Sequence, residues 1–271
     1  MDLTPKYYIK ASEAKLHLAT GNNKIGRILN FSTLPGNADH LLMARGILLT
    51  DVPGTCSKHC DECFSHGCYA VNSARLHHNA VIRAWAENTL LLRNDPERLF
   101  DEIDAVITKK NEKFIKTGDP ADKKVELFRI NVSGEIESVD ELRRWDMLAK
   151  EHPEVNFGIY TKNIEAVEAF LRAYGETAPN FAINISEWHG VAKAFIDAHP
   201  GQFNVFEYDD SNLKSCTLED AEKERLSKVP HCPAVDKQGH HTTRPDGSTI
   251  KCEDCRRCYK KTGARTAVWS H

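Results

Sequence analysis

The chain has 271 residues, 41% of them hydrophobic, and a formal net charge of −3. That length suits one large domain, or one domain plus a small appendage, and the weak charge gives no electrostatic basis for general nucleic-acid binding. No apolar run approaches the roughly 20 residues that span a bilayer, and the opening MDLTPKYYIKASEAK lacks the apolar stretch of a secretory signal.

Residues 1–45 carry Gly, Asn and Pro punctuation and read as an irregular leader. Gly46-Ile-Leu-Leu-Thr-Asp51 reads as a short buried strand. It leads into Cys56, Cys60, Cys63 and Cys68, the first three spaced C-x3-C-x2-C. One loop of this kind can wrap one metal centre. Three thiolates can hold three irons of a 4Fe–4S cluster and leave the fourth iron open. A fourth thiolate from Cys68 would close the centre, and closed centres serve structure or electron transfer rather than catalysis. Of nine cysteines, eight fall in two clusters and Cys216 stands alone, a pattern that in a cytoplasmic protein indicates metal rather than disulfides.

Val71 to Arg93 has helical periodicity, with Leu76, Val81, Trp85 and Leu92 as core positions. Asn94-Asp-Pro breaks it, Asp95 can cap, and Glu97 to Phe114 forms a second helix. Strands are expected at 126–132, 155–160, 180–185 and 202–208, separated by helices at 139–150, 164–174 and 188–198. With Ile47 to Thr50 this makes five strands. Such alternation implies an α/β protein with a partial parallel (βα) barrel or open parallel sheet, whose strand order the sequence does not fix. The expected division is a leader (1–45), an α/β core (46–230) and a Cys-rich metal-binding tail (231–271).

The strands end in Ser133-Gly134-Glu135, Thr161-Lys162-Asn163, Ser186-Glu187 and Asp209-Asp210. Sites in parallel α/β folds form at the carboxyl ends of strands, where the loops converge on one rim. Polar loops there also cap helices, and Ser133 and Asn163 could do only that. The tail carries Cys232, then Cys252, Cys255 and Cys258 spaced C-x2-C-x2-C. Four such thiols suit zinc or an iron–sulfur cluster, and spacing alone does not choose. His240-His241 is a lesser ligand candidate, and Cys216 has no neighbour at ligand spacing. From Lys251 to Arg265, six basic residues face two acidic ones. They mark either a nucleic-acid contact or compensation for an anionic thiolate site.

Cys56-x3-Cys60-x2-Cys63 together with Ser133-Gly134-Glu135 resembles the radical SAM pattern. The resemblance implies a 4Fe–4S cluster on Cys56, Cys60 and Cys63, S-adenosylmethionine chelating its open iron, and Ser133, Gly134, Glu135 and Lys162 beside the cofactor. Glu187, Asp209 and Asp210 would then contact cofactor or substrate. The pattern departs at Glu62, where the family usually has an aromatic residue, in having one turn glycine, in its five strands, and in Cys68. A second resemblance is to the phage gene product 88 family. It rests on Thr55-Cys56, Cys68-Tyr-Ala70, Phe128-Arg129, Phe157-Gly-Ile-Tyr-Thr-Lys-Asn163 and the Cys232-Pro to Cys258-Tyr tail. It implies a phage protein in the cytoplasm of a bacterial host.

Two functions follow as expectations. One is an iron–sulfur enzyme of radical SAM type acting on an unknown substrate. The other is a non-enzymatic metal-binding protein, with zinc or a closed cluster, that contacts protein or nucleic acid through its tail. Neither involves a membrane. On the first reading a rim substitution such as Glu135→Ala is expected to leave stability intact.

Overall fold

A computed structural model describes residues 9–21, 25–36, 53–56, 68–119, 122–187, 190, 192–213, 216, 218–238 and 240–269. The expected strand at 47–50 and the ligand candidates Cys60 and Cys63 lie outside the described residues, as does the side chain of Leu76.

The strands are β1 (Ala19–Thr20), β2 (Leu29–Asn30), β3 (Leu127–Ile130), β4 (Asn156–Thr161), β5 (Phe181–Glu187), β6 (Asn204–Asp209) and β7 (Arg265–Trp269). They form one sheet in chain order, with β1 antiparallel to β2 and every later pair parallel. Of the two arrangements expected from the alternation, a partial barrel or an open parallel sheet, this is the open sheet. Residues 19–30, in the expected leader, supply β1 and β2, and the expected tail supplies β7. Sheet and core therefore run through both ends of the described chain.

Each parallel step needs a crossover, and helices provide it. They are α1 (Tyr69–Asn94), α2 (Pro96–Thr117), α3 (Val139–Glu151), α4 (Ile164–Tyr174), α5 (Lys193–Ala198) and α6 (Asp220–Ser227), with a single turn, α7, at Cys252–Cys255. Local chemistry sets the breaks. Asp95 accepts from the Arg98 N–H and Pro96 opens α2; Ser138 accepts from Glu141 N–H and caps α3; Asn163 accepts from Ala166 N–H and caps α4. The expected helix at 188–198 starts later, at Lys193.

Strand alternation gives the sheet two unlike faces. Phe128, Ile130, Phe157, Ile159, Phe181, Ile183, Ile185 and Val205 join the buried core formed with α1 to α5. Trp145 of α3 sits at its centre, with ring centroids 4.7 Å from Phe100, 5.4 Å from Phe31 and 5.8 Å from Phe128. Leu92 is buried there, while Val81 and Trp85 are half-buried. The opposite face carries Arg129, Gly158, Tyr160, Asn184, Ser186, Asn204, Phe206 and Tyr208. The cysteine tail packs against it.

Candidate functional site

At the rim, the chain after β2 continues alongside the end of β3. Phe31 N–H donates to Arg129 O (3.0 Å), Val132 N–H to Phe31 O (3.3 Å) and Thr33 N–H to Ser133 O (3.0 Å). The Ser133-Gly134-Glu135 turn is thus held against Thr33. Gly134 has φ +89°, and a Cβ there would come within 1.9 Å of Thr33 Oγ1 and 2.6 Å of Thr55 Oγ1, so the turn needs glycine in both conformation and space. The two threonine hydroxyls are 2.9 Å apart, and Glu135 N–H donates to Thr55 Oγ1 (2.8 Å). Thr55 precedes Cys56, whose Sγ accepts from Gly36 N–H (2.8 Å). The first loop cysteine and the Ser-Gly-Glu turn, about 80 residues apart in sequence, are therefore joined through one hydroxyl.

The buried Glu135 carboxylate accepts from Ile136 N–H (2.9 Å) and from Lys162 N–H (2.9 Å), linking the ends of β3 and β4. Its removal would leave one buried and one half-buried donor unpaired, so Glu135→Ala is expected to cost stability, against the neutral outcome expected from sequence. Ser133 caps nothing: its hydroxyl is buried without a partner among the described residues. The same holds for both amide atoms of Asn131, a buried non-glycine residue at φ +52°. Unusual backbone with unspent polar atoms marks a place where a ligand can supply the missing partners.

The tail is fastened to the sheet face by its backbone. Asn184 Nδ2 donates to Ile159 O (2.8 Å) and Cys258 O (2.9 Å). Asn204 Nδ2 donates to Asn184 Oδ1 (3.1 Å) and Lys260 O (2.8 Å), while Asn204 Oδ1 accepts from Thr262 N–H and its hydroxyl. Tyr259 lies over Gly158 and is buried with Ile25, Ile28 and Leu127. A side chain at 158 would meet Tyr259 Cδ1 at 2.8 Å and Cys258 O at 3.0 Å.

Between tail and sheet lies a cavity of about 320 Å³ along the C-terminal halves of the strands. Cys232, Cys252, Cys255 and Cys258 all line it, with Arg129, Tyr160, Lys162, Glu187, Phe206 and Tyr208. A larger open depression of about 710 Å³ lies at the opposite strand ends and takes only Glu253 and Arg256 from the tail. Location favours the smaller one as the functional cavity. Burial pushes the Cys258 thiol up, while the Tyr160 hydroxyl and the Arg129 charge pull it part of the way back. The Arg129 guanidinium stacks 3.7 Å from the Tyr160 ring centre. Among the described residues, no three His, Cys, Asp or Glu side chains stand so as to hold a metal ion. The tail thiols share one cavity without closing on one point.

The remaining candidates separate. Lys162 joins rim and cavity, through its N–H on Glu135 and its side chain along the cavity wall. The Glu187 carboxylate, raised by burial, accepts from Gly190 N–H and from Ala192 N–H (3.0 Å) and also lines the cavity. Asp209 is buried. Desolvation alone would raise it, but Ser211 and His231 Nε2 (2.9 Å) hold it below the usual carboxylate range. Asp210 accepts from the Cys216 thiol (3.3 Å). Cys68 stands at the N-cap of α1. Four of the tail's basic residues pair with carboxylates of the protein at its surface: Arg256 with Glu126, Lys251 with Glu253, Lys261 with Glu176 and Arg265 with Glu207. No helix among the described residues is long and apolar enough to cross a membrane.

Asn131, Arg129, Tyr160 and Tyr259 were not expected as site residues from sequence, although the last three lie in the segments that carry the family resemblance. The available signal was a charged or hydroxylated side chain inside an otherwise apolar strand, as in Leu127-Phe-Arg-Ile130.

The family model described as Gene product 88 matches residues 9–261, and the chain belongs to that family. No curated protein and no solved structure matches it.

Proposed function

We propose that this member of the Gene product 88 family is a phage iron–sulfur protein of radical SAM type. Cys56, Cys60 and Cys63 would hold a 4Fe–4S cluster at the rim, and Ser133, Gly134, Glu135 and Lys162 would neighbour S-adenosylmethionine. The observation that carries this reading is the joint through Thr55, whose hydroxyl ties the residue before Cys56 to the Glu135 N–H. Six consecutive parallel strands, β2 to β7, carry the rim, matching the six strands of the partial barrel usual in that superfamily, although here the sheet is open. When bound, cluster and cofactor would supply reductive cleavage of the sulfonium and hydrogen abstraction from a substrate. The chain's own work would be positioning. Glu135 fixes the β3 and β4 ends, Asn131 and Ser133 offer unspent buried polar atoms, and the aromatic cavity excludes water from bound substrate. Cys232, Cys252, Cys255 and Cys258 form a second metal centre, zinc or a cluster, on the same cavity.

Low-temperature EPR of anaerobically purified, dithionite-reduced protein tests the reading, with and without S-adenosylmethionine and beside Cys68→Ser. A cluster signal that shifts on adding the cofactor is expected. A signal indifferent to it in the parent, but responsive in Cys68→Ser, would mean a centre closed by Cys68 and a non-enzymatic protein. Zinc in place of any cluster would sink the enzyme reading.

A further inference from the structure

Thiolates closed around one metal ion carry net negative charge, and a half-buried site holds such charge only where donors and cations surround the sulfurs. Beyond Arg257, which lines the cavity, the tail does not supply them, since its other cations are mostly paired with carboxylates. The sheet does. Arg129 and Tyr259 are buried beside the thiols and their side chains interact with each other, but among the described residues neither Arg129 Nε–H nor the Tyr259 O–H donates to an acceptor. The Tyr160 hydroxyl already reaches Cys258, and Arg129 stacks on the Tyr160 ring at 3.7 Å. Buried donors left unspent beside four thiols require an acceptor, and thiolate sulfur is the acceptor that metal binding would create there.

We propose that Arg129, Tyr160 and Tyr259 are positioning residues for a thiophilic divalent ion, of zinc type, held by Cys232, Cys252, Cys255 and Cys258. Tyr160 donates to Cys258, while Arg129 Nε–H and Tyr259 O–H donate to the thiolates nearest them. This inference rests on the reading of those four cysteines as one metal centre. Its consequence is that the ion forms a wall of the cavity instead of an independent knot, so that whatever enters the cavity meets the centre.

The test uses the full chain in a Cys60→Ser/Cys63→Ser background, which silences the first loop, with zinc(II) and cobalt(II) as probes. Chelator competition gives zinc affinity, and the thiolate-to-cobalt charge-transfer band reports electron density on sulfur. Arg129→Met and Tyr259→Phe should each weaken zinc binding about 10- to 100-fold and move the band to lower energy, because a thiolate that loses a donor gives up an electron more readily. Cys216→Ser should change neither. Unchanged affinity and band in both variants, with zinc still bound, would overturn the inference while leaving the metal centre standing. No zinc in the background protein, or undiminished binding in Cys232→Ser, would instead remove the metal centre and the inference with it. Should Arg129→Met fail to fold by far-UV circular dichroism, Tyr259→Phe and Tyr160→Phe decide, since both keep the ring.

Discussion

Rim and tail surround their cysteines with polar groups in opposite ways. Among the described residues at the rim, the polar groups near Cys56 are mostly spent on one another: Thr33, Thr55 and Glu135 interlock, and Arg93 ties Glu137 to the Pro53 carbonyl. Of the described rim residues, Asn131 and Ser133 hold polar atoms in reserve. The tail's backbone is pinned by Asn184 and Asn204, but among the described residues two donors beside its sulfurs, Arg129 Nε–H and the Tyr259 O–H, have no acceptor. A site wired by its own hydrogen bonds is organised before any ligand arrives, whereas one with gathered thiols and idle donors completes its structure on binding. The rim should therefore break when its geometry is disturbed, and the tail when its docking or its metal is.

The largest effect is expected from Gly134→Ala. An L-residue at φ +89° is strained by about 1–2 kcal/mol, and the new methyl would overlap two threonine hydroxyls that are themselves bonded. A loss of about 3–5 kcal/mol is expected from urea unfolding, together with lost amide protection at Glu135 and Lys162. A loss below about 1 kcal/mol would mean that the rim turn is not the rigid partner in the comparison.

Next comes the pH dependence of the rim's support. Glu141 is fully buried under the turn, accepts from Glu137 N–H (2.9 Å) and faces Trp145 Nε1 (3.4 Å). Desolvation first, then the nearby Glu137 and Glu135, raise it from 4.5 to about 8. The folded chain therefore keeps a proton that the unfolded chain releases above 4.5. The stabilisation is full below that pH and declines up to about pH 8, with a slope of up to about 1.4 kcal/mol per pH unit. Urea midpoints across that window should fall as pH rises, and Glu141→Gln should flatten the decline. A flat parent profile would show that water reaches this carboxyl and that the rim is less dry than its packing indicates.

How much of this contrast is legible in sequence follows from range. β3 to β6 and the helices α1 to α4 come from local periodicity and caps, and the polar strand ends of β3 and β4 do meet at the rim. β2 was hidden because its ladder pairing is two residues long, set among Gly and Asn, and completed by a strand about 100 residues away. β7 was hidden behind the cysteine tail, although Arg265-Thr-Ala-Val-Trp269 has strand-forming residues. Asn163 proved a cap and Ser133 did not, because the cap of α3 falls to Ser138, five residues later. Which strand residues face the tail depends on register, and a one-residue slip would exchange Arg129 and Tyr160 for core residues.

The smallest of the three effects, and the most selective, is expected from Gly158→Ala. Gly158 lies between Arg129 and Ala182 in the sheet ladder, and its missing side chain is what lets Tyr259 and the Cys258 carbonyl approach. The clash is with a ring edge and one carbonyl, both on a short turn, so the turn can lift by a few tenths of an ångström instead of the sheet yielding. The expected cost is about 1–2 kcal/mol, roughly that of weakening the Asn184 bond to Cys258 O. Hydrogen exchange should localise the loss to residues 251–262, with α3 and α4 unaffected. The cavity should lose its cysteine wall while the Thr55–Glu135 joint stays intact. If exchange rose equally at Glu135, rim and tail would be one cooperative unit, and the preformed rim would owe part of its order to the tail resting on the sheet.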